Sequence, residues 1–320
     1  MDNKALIAIG EALIDFIPDR HGCNFSDVSA FSPKLGGAPA NVCGAFSRLG
    51  GRSRLLTQLG NDPFGHKIFN ELGGYGIDTS CIKFTDNANT ALAFVSLGAD
   101  GNRTFSFYRN PSADMLYAPE NVRSEYFEDA FALHFCSVSL GDFPMKEAHR
   151  CAVSEMRRHG GIVSFDPNLR PQLWKSYDSM INTVLEFIPD ADIIKLSDEE
   201  LFPITGEKNI EKALPVLFTG NVKLVVYTCG KDGAHAFLRN GISAFSTAGN
   251  VKAVDTTGAG DGFIGSFLWK LHQLGVSSGN ISNINENELK ACLAFSNEFC
   301  SRSVQKSGAI DSYPDMNDYN

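Results

Sequence analysis

Residues 254–265 read VDTTGAGDGFIG, and the stretch admits two different proteins. Counted from Gly260, it spells G-x-G-x-x-G through Gly262 and Gly265, a dinucleotide-binding fingerprint. Counted from Asp261, it sets a carboxylate directly behind a small turn made by Gly258, Ala259 and Gly260. A dinucleotide fingerprint comes after the first strand of a βαβ unit, with an acidic residue roughly 20 positions on, at the end of the next strand. Here the motif lies near the C-terminus, and its helical stretch leads into SSGNISNINENELK, which is no strand. Asp261 would also stand where a pyrophosphate must approach. The oxidoreductase reading loses. In the second reading AVDTT ends a strand and GDGFIGSFLWKLHQL forms a helix. Free amides at such a turn, aided by the helix dipole, suit a transferring phosphoryl group, and a carboxylate in the first turn can take a proton from an attacking hydroxyl. The plain alternative is a capping aspartate. No G-x-x-x-x-G-K-[ST] occurs, so the usual P-loop is excluded.

The rest of the chain suits that second reading. Its 320 residues can bury a large core, and 43% hydrophobic with 20% charged residues is an ordinary globular balance. A net charge of −9 argues against a nucleic-acid or anionic-membrane partner, which would need a basic face. The eight cysteines form no C-x-x-C pair and lie mostly in apolar runs, as buried thiols of a reducing compartment do. The opening MDNKALIAIGEALIDFIP has no basic n-region, Glu11 and Asp15 interrupt it, and no later run is long enough to span a bilayer. A cytoplasmic protein is expected.

Working outward, ALIAIG reads as a buried strand and GGAPANVCGAFSRLGG as a glycine turn and helix. RLLTQLG reads as a strand and DPFGHKIFNELGGYG as a glycine-ended helix. ALHFCSV, IVSFDPN, DIIKLS and VKLVVYTCG then alternate with helical stretches, which implies a mostly parallel sheet covered on both faces. Two regions break the rhythm, 11–35 and 90–109. The second, TALAFVSLGADGNRTFSFYR, is a hairpin signal around Asp100-Gly101. Together they predict a small antiparallel sheet standing off the main one, a candidate lid.

DTTGAGD (255–261) resembles the C-terminal signature of the ribokinase-like, or PfkB-type, carbohydrate kinases. The resemblance runs through nearly the whole chain and in the family's order. GEALIDF (10–16) is similar to its first strand and sugar-binding aspartate, here Asp15, and LGGAPANV (35–42) to its N-terminal signature. GNRTFSFYR (101–109) resembles the lid hairpin, DPNLRPQLW (166–174) the central motif and TCGKDG (228–233) a nucleotide-binding loop. GGAPANV, DPNLR and KLSDEEL look most like the fructokinase branch. The implied fold is a three-layer α/β sandwich with a small antiparallel β lid (about 11–35 and 90–110), in one carbohydrate-kinase domain over 1–320.

The resemblance implies an ATP-dependent sugar kinase that makes fructose 6-phosphate, with 2-keto-3-deoxygluconate kinase and aminoimidazole riboside kinase as alternatives. Asp261 would be the general base and Gly258, Ala259 and Gly260 the anion hole. Asp15, Gly36, Gly37 and Asn41 would meet the sugar, with Arg103, Phe105 and Arg109 closing over it from the lid. Asn168 would lie between sugar and phosphates, and Arg170 would reach the phosphates. Thr228, Gly230, Gly233 and Asn297 would shape the ATP site. Where many relatives carry N-x-x-E, this chain has Ser197-x-x-Glu200, leaving Glu200 to hold Mg²⁺ through water. Asp255 and Thr257 match a monovalent-cation site, which suggests K⁺. A homodimer formed through the lid is expected. Each residue also has a plainer explanation: an exposed strand end for Asp15, a strand-ending turn for 228–233, a solvated helical amide for Asn297, a surface residue for Arg170, and an edge sheet guarded by charge for the lid arginines. A non-catalytic sugar sensor on the same fold would have no need of Asp261.

Overall fold

The computed structural model describes residues 4–20, 22, 25–97 and 103–319, with the backbone alone at 97, 103 and 104. The chain opens with β1 (Ala5–Ile9), buried at every position, and so without polar alternation. It leaves the core through β2 (Leu13–Pro18) and β3 (Phe31–Gly36), enters α1 (Ala38–Arg48), and continues through β4 (Arg52–Leu56) and β5 (Gln58–Gly60). Helix α2 (Pro63–Gly74) is capped by Asp62, whose carboxylate accepts from the Gly65 amide at 2.8 Å. Next come β6 (Ile77–Asp78), β7 (Lys83–Thr85) and the hairpin of β8 (Leu92–Leu97) and β9 (Arg103–Tyr108).

Strand and helix then alternate: β10 (Ala130–Cys136), α3 (Pro144–Arg158), β11 (Ile162–Asp166), α4 (Tyr177–Phe187), β12 (Ile193–Ser197), α5 (Asp198–Thr205), α6 (Ile210–Leu217) and β13 (Leu224–Thr228). β14 (Ala234–Leu238) and β15 (Ser243–Ser246) precede the final long helices α7 (Ala259–Gln273) and α8 (Glu286–Ser303).

Among the described residues the main sheet runs β15-β14-β13-β12-β11-β10-β1-β4-β6. From β13 to β6 neighbouring strands are parallel, and β14 and β15 add an antiparallel edge. Leu6 and Ala8 of β1 pack in one core with α1, α7 and α8, while Ile7 and Ile9 pack in the other with α3 and α4. Helices therefore cover both faces. The register pairs Cys136 with Asp166 and Ser197 with Thr228, so the strands finish level at their carboxyl ends, where open α/β sheets bind ligands.

The second sheet runs β3-β2-β8-β9. Its two hairpin ladders are antiparallel, and β2 meets β8 in parallel. One face buries Leu13, Ala91 and Ala93 against Phe105 and Phe107. The other carries Phe16 stacked on Phe94 at 4.7 Å, with Tyr108 edge-on to Phe94 at 5.3 Å.

Two local expectations need revision, and one element is new. Residues 251–257 form no strand; the amides of Val254 and Asp255 donate to the Val304 carbonyl at the end of α8, so the chain before α7 is a loop seated on a helix end. RLLTQLG is broken at Thr57 into β4 and β5, because β5 leaves the main sheet to pair with β7. The β14–β15 hairpin gives little periodicity and is not anticipated. The seven described cysteines are free thiols, and Cys23 lies outside the described residues. No described helix is long and apolar enough to cross a membrane.

Candidate active site

Three cavities run together along the carboxyl ends of the strands. One of about 110 Å³ lies under the small sheet, lined by Asp15, Asn41, Phe105 and Asp261 among others. A middle one of about 400 Å³ shares Asn168, Arg170, Gly258 and Asp261 with it. A third of about 490 Å³ adjoins the middle one at Lys195, Ala259 and Gly260 and extends past Thr228, Gly230, Gly233 and Asn297. Asp261 stands where the first two meet, and the start of α7 borders all three.

The opening ambiguity of 254–265 is settled by what surrounds each glycine. Gly258 has φ +70, and the Tyr313 hydroxyl donates to its carbonyl at 2.7 Å. A Cβ on Gly260 would lie 3.2 Å from Lys195 Nζ, and one on Gly262 would press on Tyr313 and Phe299. One on Gly265 would lie 2.8 Å from the Val42 carbonyl, so Gly265 lets α7 settle against α1. These close contacts account for the glycines at 258, 260, 262 and 265 without a dinucleotide fingerprint. Of the three expected anion-hole amides, that of Ala259 is turned to the Thr256 carbonyl at 3.2 Å. Those of Gly258 and Gly260 donate to no backbone carbonyl outside the helix among the described residues. The loop before the turn is pinned by Asp255, whose carboxylate accepts from the Thr257 amide (2.8 Å) and hydroxyl (2.7 Å) and from the Gly308 amide (3.0 Å).

Asp261 is 9% exposed and accepts from Asn41 Nδ2 at 2.9 Å. Burial raises its pKa, against the opposing pull of the Asn41 hydrogen bond and the charges of Lys195 and Arg170. Such a carboxylate is a stronger base than a solvated one. Asn41 Oδ1 is buried with no partner, an acceptor held in reserve beside the base. Asn168 holds φ +45, a backbone state that asparagine tolerates better than most side chains, and with Arg170 it borders both the sugar-side and middle cavities.

On the sugar side, a Cβ on Gly36 would come within 2.2 Å of Asp15 Oδ2. Glycine there leaves the carboxylate its place. Gly37 caps α1 with φ +108, and a side chain would strike the Glu11 carbonyl. Glu11 itself was missed by sequence reasoning. It is buried, takes the Ala38 amide at 3.2 Å and the Ser139 hydroxyl at 2.6 Å, and thus seats the start of α1 in the cavity wall. Phe105 and Phe107 line the same cavity.

Arg109 does not line the cavity under the small sheet. It lies one residue beyond β9, is buried, and is committed to an ion pair with Asp114. Desolvated Asp114 needs that counterion, and Glu11 adds a second attraction. The Arg103 side chain lies outside the described residues.

On the far side, Thr228, Gly230, Gly233 and Asn297 border the largest cavity together. Asn297 is not solvated. It is buried and donates to the carbonyls of Ser246 (2.8 Å) and Thr247 (3.2 Å), fixing the exit of β15. Glu200 is more committed than expected: Oε1 takes the Leu169 amide at 2.8 Å and Oε2 takes the Ser197 amide and hydroxyl, each at 2.9 Å. It braces the 166–170 loop on the start of α5.

Residues 3–316 match the pfkB family carbohydrate kinase. The chain belongs to that family. It is 40% identical over 315 residues to probable fructokinase-2 of Arabidopsis thaliana, covering 98% of this chain and 94% of that one. Among solved structures it is similar to the fructokinase with bound ATP from Xylella fastidiosa, with TM-score 0.91, 32% identity, and 98% and 96% of the two chains covered. A double mutant of the Vibrio cholerae O395 fructokinase in a fructose-, ADP- and potassium-bound form matches with TM-score 0.86, 31% identity, and 99% and 97% covered. In this carbohydrate kinase the turn before α7 borders all three cavities.

Proposed function

We propose that this kinase transfers the γ-phosphoryl group of ATP to the C6 hydroxyl of fructose, giving fructose 6-phosphate. The observation that carries the reading is Asp261, a buried carboxylate behind the Gly258 turn at the junction of the sugar-side and middle cavities. The acceptor sits under the small sheet against Asp15 and Asn41. Asp261 takes the hydroxyl proton as the sugar oxygen bonds to phosphorus, and the bond to the ADP oxygen breaks. Amides of the turn and Arg170 receive the charge of the group in transit. ATP would occupy the 490 Å³ cavity, which Thr228, Gly230, Gly233 and Asn297 border; relatives are solved with ATP or ADP bound.

Hard oxygen donors suited to Mg²⁺ face the middle cavity: Asp166 Oδ1 is buried without a partner, and Glu200 keeps lone-pair capacity beyond its three bonds. These two would hold the ion, partly through water, and the ion would neutralise phosphate charge. K⁺ would bind beside Asp255 and Thr257, the positions the motif resemblance points to, and a relative is solved with potassium bound. Fructose is favoured over 2-keto-3-deoxygluconate because a keto acid wants a cation at its carboxylate, and Arg109 is already committed to Asp114. The small sheet would act as a lid. Its outer aromatic face, with Phe25 at 49% and Tyr108 at 65% exposure, would pair with a second copy, which sedimentation would read. Free thiols suit a cytoplasmic setting.

A coupled ADP-release assay over a sugar panel tests the reading. Fructose should outpace glucose, ribose, aminoimidazole riboside and 2-keto-3-deoxygluconate. Efficient turnover of the keto acid with little on fructose would leave the kinase standing and remove the fructose assignment. Lid closure predicts slower amide exchange across 103–108 when fructose and nucleotide are both present; unchanged exchange would refute it.

A further inference from the structure

Lys195 stands at the junction of the two larger cavities and lines both. It opens the KLSDEEL stretch, in which the family resemblance gives a role to Glu200 and none to the lysine. On β12 and β11 the pairing of Ile194 with Phe165 makes Lys195 and Asp166 cross-strand neighbours, and Lys195 Nζ donates to Asp166 Oδ2 at 2.8 Å. Both residues are buried, at 5% and 1% exposure. A buried ion pair is a poor way to gain stability, because desolvation offsets much of the attraction. A purely structural pair would also be walled in by apolar groups. This one opens onto cavities, and its ammonium lies against the turn before α7, where the missing Gly260 side chain makes room for it.

The charges nearby give the lysine a task. Asp166, Glu199, Glu200 and Asp261 all border the middle cavity with it. Four carboxylates would repel a polyphosphate, and Lys195 and Arg170 are the cations among the residues lining that space. An ammonium has three donors, and Asp166 takes one. On the proposed kinase reading, we infer that Lys195 is a catalytic cation that holds the phosphoryl group in transit between nucleotide and sugar, with Asp166 as its positioning residue. A compact ammonium on a strand end is a point charge fixed in place, and charge held where it develops in the transition state needs no reorganisation.

The test separates this role from a structural one by comparing nucleotides. ATP and ADP affinities are measured calorimetrically in EDTA without sugar, for wild type, Lys195→Met and the double variant Asp166→Asn/Lys195→Met. The double variant removes the carboxylate that the single one leaves unpaired. ATP affinity should fall about 10- to 100-fold, the loss of one charge-assisted hydrogen bond, while ADP affinity changes far less. At saturating ATP, kcat should fall ~10²-fold or more. An unchanged ATP-to-ADP ratio in a folded variant, by either route, overturns the inference. The result is independent of the acceptor. Selective loss of ATP affinity in an enzyme that ignores fructose would uphold Lys195 and reject fructose, whereas normal fructose turnover with an unaltered ratio would reject Lys195 alone.

Discussion

Asp261→Asn is expected to lower kcat on fructose at least ~10²-fold, the lower range for losing a positioned general base, while ATP still binds. The amide nearly matches the carboxylate in shape and can still accept from Asn41, so the loss reports the missing base. A variant with near-normal kcat would remove Asp261 from catalysis. The pH profile gives an independent reading. Burial raises the Asp261 pKa above its ordinary value of 3.8, and only the deprotonated form accepts a proton. Activity should therefore fall as pH drops through that raised pKa, at higher pH than an exposed aspartate would give. The sign for stability is opposite. A group whose folded pKa lies above its unfolded one stabilises the fold when protonated, and that contribution is lost as pH rises through the folded value. At neutral pH the ionised Asp261 burdens the fold, so Asp261→Asn should melt no lower than wild type. A sharp drop in Tm would mean the carboxylate is structural.

Much of this site was legible because the family's motifs are local. Each signature places its residues on one turn or strand end: GGAPANV delivers Gly36, Gly37 and Asn41 to the start of α1, and GAGD delivers the turn and the base to the start of α7. Apolar runs bounded by glycine marked the parallel strands, whose burial on both faces leaves a strong signal. What escaped depends on partners distant in sequence or on register. Lys195 matters because β12 lies beside β11 in one alignment, and nothing in KLSDEEL states that alignment. Glu11 looked like an interruption of an apolar run, yet its partners come from Ala38 and Ser139. Arg109 looked like a lid cation because it ends an alternating strand; the chain's turn toward Asp114 one step later decides its role. The loop at 251–257 imitated a strand because its backbone partner is a carbonyl at a helix end, which carries no periodicity. In each case a charge or an amide found its counterpart across the fold.

Asp15→Ala is expected to cut kcat/KM for fructose by about 10²- to 10³-fold, with ATP affinity close to wild type, because two charge-assisted hydrogen bonds are worth roughly that much. On β2, positions 13 and 15 point under the small sheet into the sugar-side cavity. Gly36 crosses opposite Leu13, and its missing side chain leaves the space that the Asp15 carboxylate fills. Asp15 shares that cavity with Asn41 and Asp261, so a sugar with its primary hydroxyl at the base would present its other end to Asp15. A carboxylate can accept from two adjacent hydroxyls at once, and fructose differs from competing hexoses around C1 to C3. A site built to bond a hydroxyl rejects an analogue lacking it, since its own polar groups are then left unpaired. Removing Asp15 should therefore do more than weaken fructose. The variant should lose discrimination between fructose and fructose analogues lacking a C1 or C3 hydroxyl, because the group that senses the difference is gone. Asp15→Asn should fall between the two, keeping one acceptor and losing the charge. Steady-state kinetics on fructose and such a deoxy analogue, with calorimetry for ATP, would decide it. A uniform loss on both sugars, or an equal loss of ATP affinity, would show that Asp15 supports the fold of the small sheet and leaves specificity to Asn41 and the lid.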